Sequence, residues 1–154
     1  MVDAHLGTIG VWLAFLASIA GAVVIIAGLV TRRDAGDASP AGATAGRVAG
    51  DGRLLAPVML VGALLAAGAM EHALVTHDFT LVFVAENNST VTPLLYSITG
   101  MWSALAGSIL LWGLILAVVS TVFVWRYRRQ VADPVIRWAT LVLYVVSAFF
   151  FGLM

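Results

Sequence analysis

Few side chains in this 154-residue sequence could do chemistry, and most of them lie between residues 71 and 102. Glu71 and His72 are adjacent at the end of a long apolar run, and His77 follows five residues later. An imidazole can ligate a metal or transfer a proton near neutral pH, and an ionisable residue inside a membrane span commonly marks a functional site. Near a membrane surface, simple solvation explains the same residues more easily, and both interpretations stay open.

The usual catalytic patterns do not occur in the sequence. Cysteine is absent, which excludes disulfides, thiolate catalysis and cysteine-based metal sites. There is no paired carboxylate, no nucleophile beside a base, no phosphate-binding loop and no cluster of metal-ligating residues. We therefore predict no catalytic residue and no metal site within this chain.

Composition defines the class of protein. Hydrophobic residues make up 62% of the chain and charged residues only 10%, whereas a soluble domain has about 25% charged residues. This balance predicts an integral membrane protein with the lipid bilayer as its surroundings. The formal net charge is zero and no polybasic run occurs, so nucleic acid is not an expected partner.

Four apolar runs are long enough to cross a bilayer, at about residues 7–30, 54–75, 104–125 and 135–154. Residues 31–53 are rich in Gly, Ala and Asp, which is typical of a flexible linker. Asp133 and Pro134 suit the start of the last helix. The sequence thus predicts one all-α membrane domain over residues 1–154, with four transmembrane helices and a long loop at 76–103.

Small residues recur four apart in three spans, a spacing that lets helix backbones approach closely in lipid. The pairs are Ala14 and Ser18, Gly62 and Ala66, Ser103 and Gly107, and Gly113 and Ala117. Abundant Ala and Gly explain the pattern equally well. The last span ends in the bulky SAFFFGLM with no polar flank, which is typical of a truncated chain or one half of a split protein.

The basic residues predict the orientation. All eight are arginine, and they are Arg32, Arg33, Arg47, Arg53, Arg126, Arg128, Arg129 and Arg137. By the positive-inside rule, the linker and the turn between the last two spans are cytoplasmic. The N-terminus, the loop at 76–103 and the C-terminus then lie outside. Arginine without lysine, in an Ala- and Gly-rich chain, indicates a GC-rich bacterial source.

The loop contains more apolar sequence than one crossing needs. Thr92 and Pro93 suit a helix start, with proline at the first position and threonine as the cap. Apolar residues then recur three and four apart, which predicts an amphipathic helix at the outer membrane surface with a joint near Gly100. These residues are Leu94, Leu95, Ile98, Met101 and Trp102. Asn87 and Asn88 are expected to form the preceding turn, and FTLVFVA (79–85) indicates no clear secondary structure.

The loop and the following span resemble a known family. THDFTLVFVAENNSTVTPLLYSITGMWSALAGSILLW (76–112) is similar to an early segment of the CcmF/NrfE-type haem lyases of cytochrome c-type biogenesis. The matching positions are Asp78, Phe79, Phe83, Val84, Ala85, Asn87, Asn88, Pro93, Tyr96, Trp102, Gly107, Ser108, Leu110, Leu111 and Trp112. Ala106 stands where members of the family usually have glutamate.

The resemblance implies that the chain is the N-terminal part of a haem lyase, which presents haem for covalent attachment to apocytochrome c outside the cytoplasmic membrane. The family's haem-ligating histidines and tryptophan-rich segment would lie beyond Met154. The remainder of the lyase or a partner chain would therefore supply them, and a haem-delivery protein would be a further partner. It stays open whether this chain is an enzyme by itself, and we expect it not to bind haem stably alone.

Haem iron takes His, Met, Cys or Tyr as axial ligands. The loop side offers His5, His72, His77, Tyr96 and Met101, and we take His72 and His77 as the candidate haem-binding residues. The indole N–H of Trp112 lies within a span, which predicts burial against another helix.

Five loop residues form the predicted partner-docking surface: Asn87, Asn88, Pro93, Tyr96 and Trp102. The alternative is a small membrane scaffold or transporter fragment without haem chemistry, in which Trp102 and its neighbours only anchor the loop at the membrane surface.

Overall fold

The computed structural model describes residues 2–34, 52–130 and 133–154. They form α1 (Val2–Asp34), a 3₁₀ helix (Gly52–Leu54), α2 (Leu55–Val75), α3 (Val82–Asn87), α4 (Leu94–Ser103), α5 (Leu105–Arg126) and α6 (Pro134–Gly152). No strand occurs in these ranges. The predicted all-α fold is confirmed.

The long helices α1, α2, α5 and α6 are each apolar and long enough to cross a membrane. Helix α1 packs on α2 and α6, and α5 packs on the same two, so the four helices form a ring in the order α1, α2, α5, α6. Their outer faces expose large apolar side chains, as expected for helices whose solvent is lipid. The four-span membrane architecture predicted from the apolar runs is thus confirmed.

The sequence predicted the start of α6 correctly but not the end of α1. Helix α1 begins at Val2 and continues to Asp34, so the predicted linker at 31–53 starts inside this helix, and its residues 35–51 lie outside the described residues. Helix α6 begins as the Asp-Pro pair indicated. The Asp133 carboxylate accepts a hydrogen bond from the N–H of Val135 at 2.8 Å, and Pro134 is the first helical residue.

Helices α1 and α2 cross in backbone contact at small residues. A Cβ on Gly10 would lie 2.6 Å from the backbone N of Ala66, and a Cβ on Gly62 would lie 2.7 Å from the backbone N of Ala14. No side chain fits at either glycine without moving a helix. The spaced small residues therefore form a specific helix crossing here, with Gly10 as a member that the sequence pairs did not include.

Two buried side chains of α6 close the ring at the end of the bundle that carries most of the described arginines, which we call the arginine end. The Tyr144 hydroxyl donates a hydrogen bond to the carbonyl of Gly52, and the Arg137 guanidinium donates to the carbonyl of Gly28 at 3.4 Å. Gly28 and Gly52 are both buried, so these bonds satisfy buried acceptors and stabilise the contact of α6 with its neighbours. The opposite end, covered by α3 and α4, is called the hairpin end.

Candidate functional site

The hairpin end begins with a sharp turn at His77, where α2 ends. The N–H of Asp78 donates to the carbonyl of Ala73 at 2.9 Å, and the N–H of His77 donates to the carbonyl of Leu74 at 3.4 Å. This pair of bonds is a Schellman motif, in which the residue after the helix takes a left-handed conformation. His77 has φ 55° at this position, where glycine is usual. The backbone of His77 therefore has a conformation that is unfavourable for residues other than glycine.

Asp78 and Thr80 lead the chain from this turn into α3. The hydroxyl and the backbone N–H of Thr80 both donate to Oδ1 of Asp78. The Thr80 hydroxyl, and secondarily its N–H, hold the pKa of the Asp78 carboxyl below its ordinary value, because both bonds favour the charged form. The carboxylate thus keeps the turn closed at neutral pH. Sequence reasoning missed α3 because its Val and Phe residues are not typical helix formers.

Asn88 connects three parts of this end of the molecule. Its Nδ2 donates to the carbonyl of Leu74 at 2.8 Å and to Oγ of Ser97 at 3.2 Å, and its Oδ1 accepts from the N–H of Ser89 at 2.9 Å. One amide therefore joins the end of α2, the turn and α4. Asn87 is different, since it is exposed and, among the described residues, donates only to the carbonyl of Phe83 in its own helix, at 2.9 Å.

We expect Asn88→Ala to destabilise the protein by about 1–3 kcal/mol, because it removes a side-chain donor to the Leu74 carbonyl and a partner of buried Ser97. Asn87→Ala is the matched control and should change stability by less than about 0.5 kcal/mol. The thermal unfolding midpoint of the purified protein in detergent measures both changes. Equal midpoints for the two variants would contradict the connecting role of Asn88.

Helix α4 packs on the bundle with one face and exposes most of its large apolar residues on the other. Ser97, Gly100 and Met101 are buried against α2 and α5. The opposite side is exposed and carries Leu94, Leu95, Tyr96, Ile98 and Trp102. The predicted apolar stripe was wrong in including Met101, because the contacts with α2 and α5 determine which face turns inward.

The start of α4 also differs from the prediction. Pro93 has ψ 146° and lies just before the helix, which begins at Leu94. The Thr92 hydroxyl does not cap it, because this oxygen accepts a hydrogen bond from the N–H of Ser89 at 3.1 Å. Thr92 and Ser89 thus fix the turn after Asn88, and Pro93 directs the chain into the helix.

The joint between α4 and α5 lies at Ala104, whose backbone is extended (φ −110°, ψ 155°), and not near Gly100 as predicted. Gly107 lies directly against the carbonyl of Met101, where a Cβ would overlap the oxygen. The Ser108 hydroxyl donates to the carbonyl of Trp102 at 2.8 Å, which satisfies an acceptor in the last turn of α4. We call Gly107 and Ser108 the junction clamp, because they fix α4 on the start of α5.

The candidate histidines occupy separate environments. His72 is exposed, and its Nδ1 lies 3.1 Å from Oδ2 of Asp3, which links the end of α2 to the start of α1. The ring of His77 lies beside Phe79, with 6.1 Å between ring centroids, and its Nε2 is buried without a hydrogen-bond partner in the described part of the chain. His5 is exposed on α1. No group of three metal-ligating side chains occurs among the described residues.

Replacing His77 by glycine should leave the unfolding midpoint unchanged or slightly higher, because the left-handed conformation costs a non-glycine residue about 1–2 kcal/mol. His77→Val should lower the midpoint, since a β-branched side chain is poorly tolerated at positive φ. With folding preserved, His77→Gly isolates what the imidazole contributes to function. If Gly and Val lowered the midpoint equally, the ring contacts of His77 and not its backbone would stabilise the turn.

A cavity of about 480 Å³ opens between the long helices near the hairpin end. Its wall is mostly apolar and includes Trp12 and Phe15 of α1 and Met70 of α2. Neither His72 nor His77 lies in this wall. The described residues therefore place no imidazole where it could ligate haem inside the cavity.

The prediction that Trp112 is buried was wrong, because its side chain is 56% exposed on the outer face of α5. Its neighbour Gly113 faces α6, and a Cβ there would lie 2.9 Å from the ring of Phe151. This close approach of α6 turns Trp112 away from the bundle.

The fold and this end of the bundle define a multi-pass membrane protein in which a pair of short helices, α3 and α4, packs against one end of the bundle. A solved structure of the cytochrome c haem lyase CcmF matches 100% of this chain, with a TM-score of 0.73 and 35% identity, and the chain covers 24% of that protein. No family model matches the chain.

Curated relatives agree with that structural match. The cytochrome c-type biogenesis protein ccl1 of Rhodobacter capsulatus is 51% identical over 53 residues, which are 34% of this chain and 8% of that protein. CcmF of Escherichia coli is 39% identical over 74 residues, which are 44% of this chain and 11% of that protein. The chain thus spans only a small part of these relatives. The resemblance to the CcmF/NrfE family is confirmed, and the whole chain matches one part of the solved CcmF structure.

Proposed function

We propose that the chain acts in cytochrome c-type biogenesis as the N-terminal part of a haem lyase in the bacterial inner membrane. Its N-terminus and hairpin lie outside the cytoplasm, and its arginine end lies inside. The whole lyase joins the vinyl groups of haem to the cysteine thiols of apocytochrome c, so haem is the substrate and the thiols belong to the partner.

The observation that carries this proposal is the structure of the segment formed by α3, the following turn and α4, which we call the hairpin. Several residues that match the family stabilise it by identifiable contacts. Asn88 fixes the turn to α2, and the junction clamp of Gly107 and Ser108 fixes α4 on α5. Tyr96 and Trp102 are then exposed on a backbone that cannot easily shift. A membrane anchor needs only apolar bulk, whereas a rigid surface with aromatic groups lowers the entropy cost of binding a protein.

The proposed docking surface consists of Pro93, Tyr96 and Trp102, with Asn87 at its edge and Asn88 positioning it. Its partner is the remainder of the lyase, which in turn meets the haem-delivery protein and apocytochrome c. Only Nδ1 of His72 contacts Asp3, which leaves Nε2 of this exposed ring as the possible ligand, whereas Nε2 of His77 is buried. His72 is therefore the better placed of the two candidates to meet haem from this chain. The remainder of the lyase supplies the other contacts to haem.

Expression of this chain with a lyase that lacks the corresponding segment tests the function. We expect covalent haem on an exported apocytochrome c only when both parts are present, measured by haem staining after denaturing electrophoresis. Because the chain has no cysteine, Ser89→Cys can report orientation, and an impermeant maleimide should label it in intact cells. If a correctly oriented chain gave no covalent haem, the scaffold alternative would be favoured. If Ser89→Cys were protected from the maleimide, the chain would have the opposite orientation.

A further inference from the structure

The arginine end carries three guanidinium groups within four consecutive residues. The proposed function assigns no binding role to them. Arg126 ends α5, and Arg128 and Arg129 follow in the turn after it; all three are exposed. The described acidic residue nearest in sequence is Asp133, whose carboxylate is engaged at the start of α6. We call Arg126, Arg128 and Arg129 the arginine patch.

Aromatic rings hold two members of the patch in place. The guanidinium carbon of Arg128 lies 5.2 Å from the ring centroid of Trp125, and that of Arg126 lies 5.8 Å from the ring centroid of Tyr127. A cation over a ring face is attracted by the ring, and its outward N–H groups stay free to bind a ligand. Trp125 is 65% exposed at the end of a span, where tryptophan marks the headgroup region. The patch therefore lies at the depth of lipid phosphates.

The backbone beneath the patch is also fixed. Arg53 donates to the carbonyl of Arg128 at 2.7 Å, which brings a fourth guanidinium from the 3₁₀ helix before α2. The N–H of Gln130 donates to the carbonyl of Tyr127 at 2.8 Å. The free carbonyls at the C-terminus of α5 carry partial negative charge, which favours cations at this position. The helix end thus offsets part of the mutual repulsion of the arginines.

We propose that the arginine patch binds the phosphate of an anionic phospholipid, of which phosphatidylglycerol is the simplest bacterial type. Planar guanidinium groups match phosphate oxygens in pairs. Three positive charges without a described acidic partner favour a headgroup of net negative charge over phosphatidylcholine, whose own cation would be repelled. The inference holds for either orientation of the chain, so it does not depend on the proposed function.

The full-length chain in detergent micelles tests this, with unfolding followed as lipid is added. Phosphatidylglycerol should raise the unfolding midpoint saturably, as a ligand of the folded state does, and phosphatidylcholine should not. In the triple variant Arg126→Gln, Arg128→Gln, Arg129→Gln, the apparent affinity for phosphatidylglycerol should fall at least tenfold. Glu86→Gln removes an exposed charge at the other end and should leave the lipid response unchanged.

Arg129→Gln alone is the second variant, for use if the triple variant does not fold. Among the described residues Arg129 contacts no aromatic ring, so its loss should remove one charge without disturbing the fold. Its apparent affinity for phosphatidylglycerol should fall about twofold or more. Equal affinities for the parent and both variants would overturn the proposal. Stabilisation by inorganic phosphate to the same extent as by phosphatidylglycerol would also overturn it, because the ligand would then be a free anion and not a lipid.

Discussion

Alanine in place of Gly107 should release the hairpin from the bundle, although the change adds a single methyl group. The new Cβ would overlap the carbonyl oxygen of Met101 and lie 2.9 Å from the ring of Phe83. A backbone carbonyl in a packed junction cannot turn away as a side chain can, so α4 must move off α5. We expect a loss of about 3 kcal/mol, at the upper end of the usual cost of overpacking.

Gly68→Ala is the matched control for this change. Gly68 lies within α2, and a Cβ there would meet no atom within 4 Å. The same substitution should therefore be neutral or slightly stabilising, since alanine is the better helix former. The unfolding midpoints of the two variants should differ widely. Similar midpoints would mean that the hairpin tolerates displacement and that the junction clamp does not hold it.

The sequence allowed the four spans to be predicted because the features that define them are local. Apolar runs of sufficient length and an Asp-Pro pair, here Asp133 and Pro134, need no knowledge of the rest of the fold. The crossing of α1 and α2 could be predicted only in part. Spaced small residues indicate close helix packing, but they do not identify the partner helix. Gly10 became identifiable only when its contact with Ala66 was known.

The hairpin was the less predictable part because tertiary contacts decide its geometry. Asn87 and Asn88 are the same residue type at adjacent positions, yet only Asn88 reaches α2 and α4. Periodicity placed Met101 on the same apolar stripe as Leu94 and Ile98, whereas its contacts with α2 bury it in the bundle. The resemblance to haem lyases was more informative here, since it selected Gly107 and Ser108 before any physical task for them was evident.

Tyr96→Ala should weaken association with the remainder of the lyase by about 2 kcal/mol, or about thirtyfold in affinity. Tyr96 is 65% exposed on the outer side of α4, so its truncation leaves no cavity in the bundle. A rigid aromatic group with a polar tip is the kind of residue that dominates protein interfaces. Tyr96→Phe keeps the ring, so it should retain most of the affinity if the ring contributes more binding free energy than the hydroxyl does.

Leu95→Ile is the control, because Leu95 is similarly exposed, at 68%, and the change conserves apolar area. Any effect on membrane insertion should be shared by both positions. A loss of binding specific to Tyr96 would therefore report on the docking surface itself.

The most direct test of the docking surface is co-purification of the tagged chain with the remainder of the lyase, at matched amounts of chain in the membrane. We predict that wild type and Leu95→Ile recover the partner equally, and that Tyr96→Ala recovers at least tenfold less. Equal recovery by Tyr96→Ala and wild type would contradict the account and leave α4 as a helix that only anchors the loop at the membrane surface.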